Sequence, residues 1–240
     1  MKQTDDVFGD ALLAYFRGDH DAQITVESDE AETDTWPMAE FFHTWDAMSP
    51  IEQRALTLAS GHTLDVGAGS GSHTLWLQDH GVDAEALDIS AGAISVMNSR
   101  GVKTVHHDDF FHFAQPQPYD TVLLLMNGTG LAGTLDRLAD LLRKAEALLA
   151  PGGQILIDSS DLIYLFQEED GSIALPIGGK YYGELTYTYI FGGKRSEPFS
   201  WVFVDQQTLA DAADRVGLDC QIVLEGDHYD YLARLTRKNA

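Results

Sequence analysis

Cysteine, lysine and long apolar runs are what this chain has least of. Cys220 is the only cysteine among 240 residues. No disulfide can therefore close within the chain, and a reducing compartment, the cytoplasm, is the expected location. Lysine occurs only six times, and 15 basic residues against 38 acidic ones leave a formal net charge of −23. A field of that sign disfavours polyanions, so nucleic acid is not an expected partner. The same surplus gives solubility, or suits a salty interior in which screening weakens self-repulsion. No apolar stretch approaches the ~18 residues of a membrane span, so none is expected. The opening MKQTDDVFGD has no apolar signal core. What is present is 44% hydrophobic and 10% aromatic residues, in a length that suits one well-buried α/β domain with additions.

The chain is organised around residues 62–77, HTLDVGAGSGSHTLWL. Thr63, Leu64 and Val66 read as the end of a buried strand, and Ser70 to Gln78 as the first turns of a helix. Gly67, Gly69 and Gly71 alternate between them. A turn without Cβ atoms lets the backbone touch a ligand, and the N–H groups of the following helix suit a carboxylate or phosphate. A dinucleotide fingerprint wants Gly or Ala where Ser72 stands. Asp65 would also repel a pyrophosphate, whereas it suits an amino group or a sulfonium centre.

Asp65, Gly67, Gly69 and Gly71 match Asp/Glu-x-Gly-x-Gly-x-Gly at all four positions, and here the chain resembles the class I S-adenosylmethionine-dependent methyltransferases. Further along, 82–89 reads as the second strand and brings Asp88 beside the glycine turn. There a carboxylate can accept both ribose hydroxyls; the alternative is a cap for the next helix, a task open to Ser90. Ile89 would lie against the adenine. The resemblance assigns the adenine amino group to Asp109, with Asp108 as alternate, and the ring to the backbone N–H of Phe110. Ala68 and Met126 complete the predicted donor contacts. Leu-x-Pro-Gly-Gly at 149–153 and a closing antiparallel strand pair, 218–225 and 229–236, are further features of that family.

The resemblance implies an α/β fold, a three-layer doubly wound sheet of seven strands with the last antiparallel, carrying N-terminal helices and a β-hairpin insertion. Residues 1–49 would be a helical lid segment and 50–240 the methyltransferase domain, with the hairpin inserted at about 176–204. It implies methyl transfer from S-adenosylmethionine to a small molecule by in-line attack, leaving S-adenosylhomocysteine. A protein acceptor, or donor binding without catalysis, are the other readings; a nicotinamide oxidoreductase is argued against by Asp65.

Apolar periodicity predicts helices at 5–18, from Pro50 to about Ser60 with Ser49 as cap and Glu52 at the third position in a capping box, at 91–100, 133–149 and 208–216. Residues 19–35, polar and acidic with one brief alternating piece from Gln23 to Val26, read as a surface loop, and the aromatic segment 36–49 as a helix or a lid. A short third strand is expected at 102–105, and the most apolar run, 119–126, as a central strand. Acidic residues 168–170 precede a turn, and 181–191 with 200–204 form a hairpin around Gly192-Gly193. Two residues are candidates for catalysis. Asn127 follows the central strand and could accept a hydrogen bond from a nucleophile, and His228 could act as a general base. His106, His107, Asp108, Asp109 and His112 are not expected to hold a metal, because neighbours on a strand point to opposite faces.

Overall fold

The computed structural model describes residues 6–167, 172–173 and 179–238. The acidic run 168–170 and the start of the predicted hairpin, 176–178, lie outside them. In chain order the strands are β1 (Gln23–Ser28), β2 (Asp34–Pro37), β3 (His62–Val66), β4 (Asp83–Asp88), β5 (Val105–His107) and β6 (Tyr119–Leu124). They continue as β7 (Leu149–Ser160), β8 (Glu184–Phe191), β9 (Lys194–Arg195), β10 (Phe199–Val202), β11 (Leu218–Glu225) and β12 (Asp230–Arg237). The α-helices are α1 (Val7–Phe16), α2 (Pro50–Leu58), α3 (Ser72–Asp79), α4 (Ala91–Arg100), α5 (Leu138–Ala147) and α6 (Gln206–Arg215).

Seven strands form one sheet in the order β11-β12-β7-β6-β3-β4-β5. β3 to β7 run parallel, and β12 enters antiparallel between β7 and β11. Alternation along the central strands separates the two faces. Val122, Leu124, Ile155, Ile157 and Tyr231 belong to the apolar cluster shared with α5 and α6. Leu123, Leu156 and Leu232 belong to the one shared with α2 and Leu77 of α3. This is the layered, doubly wound architecture expected from the sequence. The parallel strands deliver their carboxyl ends to one edge, which is where such sheets bind ligands.

Three local expectations need correction. Residues 19–35 are not a surface loop: Ile24 and Val26 are fully buried, and β1 pairs with β2 on one side and β8 on the other. Segment 36–49 is not an α-helix; it holds two short 3₁₀ turns, Met38–Phe42 and Trp45–Ala47. The third strand lies at Val105–His107 rather than 102–105, because Val102 instead closes α4 by donating its N–H to the Met97 carbonyl at 3.1 Å. Boundaries also shift: α3 begins at Ser72, and α5 at Leu138 after a 3₁₀ turn.

The predicted hairpin is present, with Phe191 opposite Lys194 across the Gly192-Gly193 turn. Its strands join a second sheet, antiparallel throughout, in the order β10-β8-β1-β2 with β9 against β8. That sheet docks on the carboxyl edge of the first. Trp201 of β10 lies over Gly130, where a Cβ would fall 1.9 Å from the indole; only glycine admits the ring. The Thr129 hydroxyl donates to the Val202 carbonyl at 3.1 Å, and the Val204 N–H donates to Ser159 Oγ at 2.9 Å.

Candidate functional site

The glycine turn is held in a form that side chains resist. Gly67, Gly69 and Gly71 have φ of +70°, +56° and +82°, in the left-handed region that glycine enters freely. A Cβ on Gly71 would come within 2.9 Å of Met97 and Val102, whereas one on Gly67 would meet nothing within 4 Å. One end of the turn is therefore packed against α4, and the other faces free space.

Asp88 secures the turn. Its Oδ2 accepts the Gly69 N–H and its Oδ1 the Ser90 N–H, both at 2.8 Å. It is a buried group, not an exposed loop carboxylate, and burial pushes its carboxyl above the ordinary range against the pull of those N–H donors. The helix-capping task falls to Ser90, whose Oγ accepts the Ala93 N–H at 3.0 Å. Each Asp88 oxygen keeps a lone pair for a ligand hydroxyl. Asp65, 2% exposed, is tied to α3 by the Thr74 hydroxyl at 2.6 Å. Burial raises its carboxyl too, opposed first by the nearby His73.

Around this turn the fold leaves apolar surface bare. Ile89 is 69% exposed and Met126 41%, both at the carboxyl ends of their strands. Asp109 accepts the Phe111 N–H at 2.8 Å, and the Phe110 ring is buried in the core, so only the Phe110 backbone can meet a ligand. A glycine turn open on one side, a held carboxylate, bare Ile89 and Met126, and Asp109 beyond them fit a nucleoside joined to an amino-acid end.

Met126 and Asn127 take positive φ, +60° and +65°, strain of the kind that collects at functional sites. Asn127 Oδ1 accepts from the Ser159 hydroxyl at 3.2 Å, while its Nδ2 is buried without a hydrogen-bond partner. Ser159 uses one lone pair of the Asn127 oxygen foreseen as an acceptor, and the unpartnered Nδ2 adds a donor beside it. Beside it Asp158 accepts the Gly128 N–H at 2.9 Å; desolvation pushes its carboxyl up to about 6.

Sequence reading missed a trio behind the turn, His43 half-buried and Glu52 and His73 buried. His43 Nε2 and His73 Nε2 both hydrogen bond to Glu52 Oε1, at 2.8 and 2.7 Å. Glu52 Oε2 accepts the Ser49 N–H at 2.8 Å in the capping box foreseen for α2. The two histidines hold the Glu52 carboxyl low against its burial. The capping spacing made Glu52 visible, but nothing local pointed to histidines on other elements. These three side chains bring one ligand atom each within 4.8 Å of one another, the group among the described residues with metal-ligand proximity; here they hold one another. The Phe41 carbonyl accepts from the hydroxyls of both Ser70 and Ser72, so segment 38–43 is strapped across the turn. The histidines and acids near 106–112 disperse: His106 goes to Glu85, His107 to the Ile89 carbonyl and His112 towards Asp109.

A cavity of about 250 Å³ opens farther along the same edge. The second sheet contributes Val26, Asp34, Trp36, Leu185 and Tyr187; the end of β7 and the chain after it contribute Ser160, Leu162 and Tyr164; and His228 lies on its wall. The ends of β3 and β7 are two strand spacings apart in the sheet, roughly 10 Å.

Comparison with known proteins agrees with this geometry. A methyltransferase-domain family matches residues 43–221. A crystal structure of a SAM-dependent methyltransferase from Bacteroides fragilis, in complex with S-adenosyl-L-homocysteine, superposes with a TM-score of 0.91 at 39% identity, covering 99% of this chain and 97% of that one. An uncharacterised methyltransferase of Staphylococcus carnosus (strain TM300) is 24% identical over 179 residues, 75% of this chain and 80% of its own length. The fold is shared with the sugar N-methyltransferase KedS8 from Streptoalloteichus sp ATCC 53650, at a TM-score of 0.54 and 20% identity over 79% of this chain and 84% of that one.

Proposed function

The chain belongs to the class I S-adenosylmethionine-dependent methyltransferases, and on that premise we propose that its methyl acceptor is a small molecule seated in the cavity between the second sheet and β7. The observation that carries this reading is a cavity on the same carboxyl edge of the sheet that carries the donor turn. Its volume of about 250 Å³ is near the lower end of small-molecule sites, which suits a metabolite better than a protein segment.

When bound, S-adenosylmethionine supplies an electrophilic methyl group. The work of the chain is to hold and orient. In this reading Asp88 accepts the ribose hydroxyls, Asp109 and the Phe110 N–H meet the adenine, and Ile89 and Met126 cover its faces. Gly67, Ala68, Gly69 and Gly71 admit the amino-acid end, with Asp65 supplying negative charge behind them. Asn127 Nδ2 donates towards the acceptor, and His228 takes the proton that the nucleophile gives up. Residues before 50 act as strap and roof over a catalytic domain formed by the rest. The single cysteine, Cys220, is free, which supports a cytoplasmic setting.

The test is release of S-adenosylhomocysteine from S-adenosylmethionine across a metabolite library. A turned-over metabolite that is not methylated by His228→Gln supports the reading. Turnover only with protein substrates overturns it.

A further inference from the structure

Within the methyl-transfer reading, on which this rests, we propose that the acceptor is a cation: an amine-bearing molecule whose ring lies among Trp36, Tyr164 and Tyr187 and whose ammonium is held by Glu32 and Asp34. Both carboxylates line the cavity, and among its described lining residues there is no lysine or arginine. Nearby charge is already allotted: Lys180 pairs with Asp29 at 2.6 Å and with Glu30 at 3.6 Å. Neither Glu32 nor Asp34 has an ion-pair partner among the described residues. Their negative charge is thus left to the cavity mouth.

Asp34 is also aimed. Its Oδ2 accepts the Trp36 Nε1–H at 3.0 Å, which fixes the carboxylate beside the indole. Trp36 meets Tyr187 edge to face, centroids 6.0 Å apart. Aromatic faces next to an anchored carboxylate attract an ammonium twice, through the ring quadrupole and through direct charge. The same field acts on the cavity wall: the Tyr187 hydroxyl is pushed up to about 12, by burial first and then by neighbours that include Asp34. A carboxylate or phosphate ester would meet two uncompensated acids here, on a chain of net charge −23. A neutral alcohol would gain the ring contacts and forgo the charge.

Three indole probes with the same two-carbon arm separate these cases on protein saturated with S-adenosylhomocysteine: tryptamine, its isostere tryptophol, and indolepropionate, titrated calorimetrically. The expected result is tryptamine binding at least ~10-fold tighter than tryptophol, with indolepropionate weakest. In Glu32→Gln/Asp34→Asn the preference should fall to within ~2-fold, while S-adenosylhomocysteine affinity and melting temperature stay unchanged. Equal affinity for amine and alcohol, a preference that survives the double substitution, or no binding of any probe to the loaded protein would each overturn the proposal. Failure of S-adenosylhomocysteine itself to bind would instead remove the methyl-transfer reading beneath it.

Discussion

The two sheets of this protein are built on different length scales. The carboxylates of the donor turn are secured within one strand-helix-strand unit: Gly69 and Asp88 are 19 residues apart and hydrogen bonded, and Thr74 reaches back nine residues to Asp65. The second sheet is closed by pairs such as Thr25 with Ile190 and Ser28 with Tyr187, separated by most of the chain. A local unit can carry a generic ligand, the methyl donor. A surface assembled from distant segments can change at each of them independently, which suits the part that chooses an acceptor.

Substitutions on either side can break or sharpen that contrast. The largest effect is expected at Asp88→Asn, which in the proposed donor site turns charge-assisted bonds to two ribose hydroxyls into neutral ones and sets an amide N–H against one of the two backbone N–H groups that Asp88 accepts. At ~1.5 kcal/mol for each, this is roughly a 100-fold loss of S-adenosylhomocysteine affinity, readable by calorimetry. Probe binding in the acceptor cavity should change far less, because none of the residues lining it is bonded to Asp88. If both fall together, the two regions are one site.

Gly130→Ala comes next and attacks the other side. Its Cβ would overlap the Trp201 indole, so the second sheet must shift, at a cost of about 2–3 kcal/mol in urea unfolding. S-adenosylhomocysteine affinity should stay within ~2-fold, because no donor contact lies there.

Asp158→Asn probes the seam between the regions. The folded carboxyl is raised to about 6, against about 3.9 unfolded. Its protonation therefore stabilises the fold fully below pH ~4, and that contribution is lost as pH rises through about 6. The variant should match the parent near pH 4 and exceed it by on the order of 2 kcal/mol at pH 7, allowing for partial solvation. A constant difference across that range would refute the assignment.

The smallest effect is expected at Ser49→Ala, which removes the cap of α2 and about 1 kcal/mol of stability. It should also loosen Glu52, so that S-adenosylhomocysteine affinity falls only slightly.

The same difference of scale decided what could be read from the sequence. The glycine turn, the Ser49-Glu52 capping box and the Gly192-Gly193 hairpin all follow from patterns within a few tens of residues, and the seven-strand sheet follows from the family resemblance that the glycine turn carries. The alternation Gln23 to Val26 is visible as well, but of its two partners one begins only at Glu184 and the other, Asp34–Pro37, has four residues and little apolar pattern, so the segment reads as a loop. The aromatic segment 36–49 has helical spacing, yet its backbone is spent on tertiary contacts: the Phe41 carbonyl accepts from Ser70 and Ser72 instead of closing a helical turn. The convergence of His43 and His73 on Glu52 joins three elements, and no local pattern encodes it.

The central claim, a donor site built into the β3-to-β4 unit, is tested most directly by calorimetric titration of the folded protein with S-adenosylhomocysteine. One saturable site per chain is predicted, with Asp88→Asn weakening it while circular dichroism remains that of the parent. The absence of saturable heat from well-folded parent protein would contradict the account.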